Sequence, residues 1–136
     1  MPMAPSLDTH FLNVDLDIYS KRDLQPLVDR LGHKVRVLFA GREKNKFSAH
    51  LEIASNPNTA DATIRAFCRL IDDLPQLERK IWDVAIVRSF SVGVQAEIGS
   101  PVRDFQIKQG TVTAAANVGA EIVLTIYAPA RKRRLK

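Results

Sequence analysis

The sequence predicts one α+β domain on a mainly antiparallel sheet, in the order β-α-β-β-α-β-α-β, with the helices on one face. Three observations carry that expectation. Five segments alternate apolar and polar residues with period two, and the segments between them carry apolar residues at helical spacing. The first six elements follow the split β-α-β order of a ferredoxin-like core, to which a last helix and strand are added. The length of 136 residues, 46% of them hydrophobic, suits a single domain with a sizeable core.

Taken in order, residues 1–10 contain two prolines and no periodicity, and read as a flexible arm. Leu12, Val14, Leu16 and Ile18 then alternate with Asn13, Asp15, Asp17 and Tyr19 in a half-buried strand. Ser20 and Asp23 resemble a capping box ahead of a helix with Leu24, Leu27, Val28 and Leu31 on one face, stopped by Gly32. Val35, Val37 and Phe39 alternate with Arg36, Leu38 and Ala40, and Phe47, Ala49, Leu51 and Ile53 alternate with Ser48, His50 and Glu52. With the polar stretch Gly41–Lys46 between them, these two runs predict a hairpin.

Ile64, Phe67, Cys68, Ile71 and Leu74, continued by Leu77, Ile81, Val84 and Ala85, predict helix over about 60–86, kinked or split at Pro75. Phe90, Val92, Val94, Ala96 and Ile98 mark a fourth strand. After the break at Gly99-Ser100-Pro101 and a short extended piece at Phe105 and Ile107 comes a weak helix over 108–118. Its expected apolar face is Val112, Ala115 and Ala116, and Gly119 is its stop. Ile122, Leu124 and Ile126 alternate with Glu121, Val123, Thr125 and Tyr127 in the last strand, and Pro129 ends the domain, taken as 11–129.

Composition excludes disordered, collagen-like and coiled-coil chains. No apolar run reaches the ~20 residues of a membrane span, and the start lacks the basic and apolar regions of a secretory signal. The single cysteine leaves no internal disulfide and points to a reducing cytoplasm. The chain has 20 basic and 15 acidic residues, but Arg131, Lys132, Arg133, Arg134 and Lys136 supply five of the basic ones. The body is thus formally neutral and the excess lies on the tail, 130–136. Those five side chains are candidate phosphate contacts, salt-sensitive and blind to sequence.

The stretch Phe105–Tyr127, FQIKQGTVTAAANVGAEIVLTIY, has a short helix, Gly-Ala, and an alternating strand ending in tyrosine. The opening FLNVDLDIYSKRDLQPLVDRLGHKV and the interrupted helix at LIDDLPQLERKI belong to the same pattern. Over about 11–128 the chain resembles a divergent member of an uncharacterised bacterial family, domain of unknown function 4279. It departs in carrying its tryptophan, Trp82, on a helix and in opening the last helix with Lys108-Gln109-Gly110. The resemblance implies a fold and no activity.

No phosphate-binding glycine loop, dinucleotide fingerprint, zinc-protease helix, nucleophile elbow or CxxC pair is present. No catalytic residue, cofactor or metal ligand is therefore assigned. On the predicted solvent face, Asp15 and Asp17 share one side of the first strand, as His50 and Glu52 do on the third. With Arg36 beside them, they form a candidate polar cluster for acid–base chemistry or a divalent metal. Alternation alone also puts polar residues on an open sheet face, where Arg36 would be a salt-bridge partner. His10 and His33 are isolated, and Cys68 falls on an apolar stripe that buries it.

Tyr19, Val123 and Tyr127, with Leu38, make the predicted wet face more apolar than solvation requires. The expected function is a small non-enzymatic interaction module that uses its open sheet face or edge to bind a protein or a second copy. The alternatives are an acid–base or metal site at Asp15, Asp17, His50 and Glu52, and nucleic-acid association through the tail alone. No membrane partner is expected.

Overall fold

The computed structural model describes residues 8–130. Within them the predicted order is present: β1 His10–Ser20, α1 Gln25–Leu31, β2 Val35–Glu43, β3 Lys46–Ile53, α2 Ala60–Asp72, α3 Gln76–Asp83, β4 Val87–Gln95, α4 Gln109–Asn117 and β5 Glu121–Tyr127. The sheet order is β2-β3-β1-β4-β5. The first four strands pair antiparallel in the ferredoxin-like arrangement, and β5 joins β4 in parallel.

Apolar residues on one sheet face, among them Leu16, Ile18, Leu51, Phe90 and Val92, are buried under the helices. α2 supplies Ile64, Phe67, Cys68 and Ile71, and Phe67 stacks on Phe90 at 5.7 Å between ring centroids. Thr59 caps α2 by accepting from the Ala62 amide at 3.1 Å. Pro75 cannot continue the α2 ladder, so the predicted long helix is two, with Pro75 as the residue ahead of α3. Trp82, fully buried, donates from Nε1 to the Val118 carbonyl at 2.8 Å and so ties α3 to the end of α4.

Several local expectations are corrected. The Ser20–Asp23 capping box does not form, because Ser20 is still the last residue of β1 and four residues separate it from the start of α1 at Gln25. Ser20 instead accepts from the Arg22 amide and Asp23 from the Gln25 amide. In β1 the pairing slips between Phe11 and Asn13, so Phe11 takes the core-facing place opposite Val94 and Leu12 is left exposed. β2 slips between Val37 and Phe39, which turns Phe39 onto the open face opposite His50. Each extra residue reverses the alternation beyond it.

α3 buries Ile81 and Trp82, not Leu77 or Val84, both exposed. Leu77 lies five residues from Trp82, about 140° round the helix, and the indole decides which side is inward. α4 buries Thr111, Ala115 and Val118, while Val112 and Ala116 are exposed. The Thr111 hydroxyl accepts from Arg65 on α2 at 3.2 Å, which selects that face. β4 ends at Gln95, leaving Ile98 exposed, and residues around Phe105 and Ile107 form no strand. Thr9 is tied to the following loop, its amide donating to Ser100 Oγ at 2.8 Å.

Candidate functional site: the open sheet face and the β5 edge

β1 and β3 are neighbours, and their register sets Asp15 opposite Glu52 and Asp17 opposite His50. Asp17 Oδ1 accepts from His50 Nδ1 at 2.7 Å, and its other oxygen accepts from the Ser91 hydroxyl at 2.7 Å. Asp15 accepts from the Asn13 side chain at 2.8 Å. Burial, then the Glu52 and Asp17 carboxylates, raise the Asp15 carboxyl above its ordinary range, and His50 opposes that shift. Arg36 lies 3.7 Å from Glu52, the salt-bridge role foreseen for it. The four candidate residues do converge, yet among the described residues no three His, Cys, Asp or Glu side chains are grouped to hold a metal ion. The metal alternative is therefore not carried forward.

The His50 ring sits between Tyr19, edge-on at 5.6 Å, and Phe39 at 6.2 Å. The Lys46 ammonium lies 4.6 Å over the Tyr19 ring, so that aromatic face is already covered by the chain itself. Ser48 and Ser89 are buried on the same side of the sheet, with hydroxyls that find no partner among the described residues. Ser91 and Phe39 escaped the sequence reading. Ser91 is visible only through the β1–β4 register, and Phe39 only through the bulge.

The candidate partner face does not assemble as one patch. Tyr19 lies at the Val87 end of β4 and Tyr127 at the Gln95 end, roughly 26 Å apart at the rise of a strand. Leu38 is at the bulge of β2, across the sheet from Val123. What the structure does gather is the β5 strand itself. Ile122, Leu124 and Ile126 lie on the helix side of the sheet, in register with Phe90, Val92 and Val94. The helix layer does not reach over them: they are 37%, 62% and 63% exposed. Val123 and Tyr127 on the other face are 41% and 51% exposed.

A strand apolar on both faces normally lies inside a covered sheet, and β5 is an edge. The opposite edge, β2, carries a bulge together with Arg36, Arg42 and Glu43, devices that discourage further pairing. β5 has neither proline nor bulge, and one charge, Glu121, at its first position.

Other features are internally engaged. A cavity of about 690 Å³ opens at the start of α2 beside Asp61, Arg65, Arg103 and Lys108. Asp61 there binds Arg65 at 3.1 Å and accepts the Lys108 amide at 2.8 Å, and Arg103 lies 3.6 Å from Asp8. Burial first, and Asp72 second, push the Cys68 thiol up to about 11, consistent with a core role. No described helix is long and apolar enough to cross a membrane. Arg131, Lys132, Arg133, Arg134 and Lys136 lie outside the described residues. Compared with protein-family models, curated proteins and solved structures, the chain finds no match in any of the three.

Proposed function

We propose that the chain is a small non-enzymatic interaction module that docks a protein on the free edge of β5. The observation that supports this most directly is the exposure of Ile122, Val123, Leu124, Ile126 and Tyr127 along one unprotected edge strand. An added strand would satisfy the free backbone groups of that edge and cover the apolar side chains beside it. The lone buried Cys68 supports a cytoplasmic setting within this reading. Membership of the domain of unknown function 4279 family belongs to the proposal too, on the hydrophobic pattern over 11–128.

Affinity capture tests the reading with full-length wild type against Leu124→Lys. A protein held by the wild type, indifferent to nuclease and released by the variant, is the expected result. Equal retention by both would sink the β5 assignment. A second reading, acid–base chemistry, is favoured by one observation, the Asp17–His50 pair oriented by Ser91. His50→Ala that left every assayed activity unchanged would remove it.

A further inference from the structure

We infer that the occupant of the β5 edge is a second copy of this chain, paired antiparallel with the first across a two-fold axis at Leu124. The inference rests on the reading of β5 as a docking edge and names the partner. An isologous interface requires a surface complementary to itself. The segment Ile122-Val123-Leu124-Thr125-Ile126 is close to symmetric about Leu124. A two-fold there sets Leu124 against its own copy and Ile122 against Ile126 on one face. On the other face Val123 meets Thr125. Glu121 falls opposite Tyr127, so no like charges face each other.

The ends of the strand agree with this register. Gly119, with φ +75°, turns the chain into β5, and Pro129 closes it two residues past Tyr127. Under the same axis these two terminators fall opposite one another. Each copy can therefore offer the whole of β5 without running into a proline or a turn of the other. Five side chains exposed at 37–63% present on the order of 500 Å² per copy. About 1,000 Å² for the pair is the most that full coverage of these side chains would bury, at the threshold a biological interface should clear and in the range of a weak, concentration-dependent dimer. β2 cannot serve in the same way, because its bulge twists the edge and Arg36 and Arg42 charge it.

Cysteine cross-linking reads the register directly. At the axis the two Leu124 Cα atoms would stand about 4.5–5.5 Å apart, within the span of a disulfide. The two Ile122 positions would be offset by four residues, about 13–14 Å, too far to bridge. Under mild oxidation, full-length Leu124→Cys should run at twice 15.2 kDa on a non-reducing gel, and Ile122→Cys should not. Native Cys68, 2% exposed, does not contribute.

Sedimentation of the wild type should give the dimer mass, and of Leu124→Lys the monomer mass with an unchanged circular dichroism spectrum. Cross-linking of Ile122→Cys as readily as Leu124→Cys would overturn the axis. A wild type that stays monomeric at high micromolar concentration would overturn the second-copy inference. The docking edge would then still stand if Leu124→Lys releases a different protein. A dimer indifferent to Leu124→Lys would likewise overturn the second-copy inference, and equal capture of every protein by wild type and Leu124→Lys would overturn the docking edge as well.

Discussion

Replacing Trp82 with phenylalanine probes the joint that carries the β5 edge. The indole is fully buried, and its Nε1 donates to the carbonyl of Val118, the residue that caps the end of α4 three positions before β5 begins. Phenylalanine keeps most of the apolar contact but leaves that carbonyl without its donor. The lost hydrogen bond, with the carbonyl left in a dry site, costs about 1–2 kcal/mol. The smaller ring leaves a void of roughly 40 Å³, worth about 1 kcal/mol. Together these predict a loss of about 2–3 kcal/mol, or a Tm lower by roughly 6–12 °C for a domain of this size.

Thermal unfolding by far-ultraviolet circular dichroism measures the total, since the variant lacks the chain's single tryptophan. Hydrogen exchange locates the effect, and the amides of α4 and β5 should lose protection before those of β1 and β3. A Tm within 2 °C of wild type, or protection lost evenly across the sheet, would refute the view that Trp82 pins the added helix and strand to the core.

Asp61→Ala should cost about 2 kcal/mol, because the carboxylate both accepts the Lys108 amide and pairs with Arg65. Burial alone would raise that carboxyl. The Lys108 amide, the Thr111 hydroxyl and the Arg65 and Lys108 charges together hold it below its ordinary 3.8. The Tm gap between wild type and Asp61→Asn should thus be full above pH 3.8 and close as pH falls through the depressed folded value. Asp15 carries the opposite sign. Its carboxyl is raised by burial and by Glu52 and Asp17, so ionised Asp15 weakens the fold, and Asp15→Asn should raise the Tm at pH 7. That gain should shrink as pH falls through the raised value and vanish below 3.8. The Cys68 thiol, buried and raised to about 11, should stay unreactive toward a thiol reagent at pH 8 until the protein unfolds; stoichiometric labelling of native protein would contradict its place in the core.

The order of elements and the polar cluster are legible in the chain because both follow from local rules. A two-residue period sets the faces of a strand. A ferredoxin-like order then makes β1 and β3 neighbours, so that their polar residues can meet, while the register that sets Asp17 against His50 is decided in the folded sheet. Gly32 and Gly119 mark helix stops through their positive φ, at +57° and +75°. Residues beyond a bulge are not legible. Phe11 and Phe39 exchange faces because one extra residue in a ladder reverses every side chain after it, and the partner strand decides where that residue goes.

The inward faces of α3 and α4 were likewise settled at a distance, by the Trp82–Val118 bond and by Arg65 reaching Thr111. β5 shows the same division most plainly. Its apolar pattern is a property of seven residues. Whether that pattern is covered depends on how far the helix layer extends and on which strand ends the sheet. Composition and periodicity therefore determined what β5 is, and only the tertiary arrangement, by placing it at an edge the helices do not reach, decided that it is left exposed.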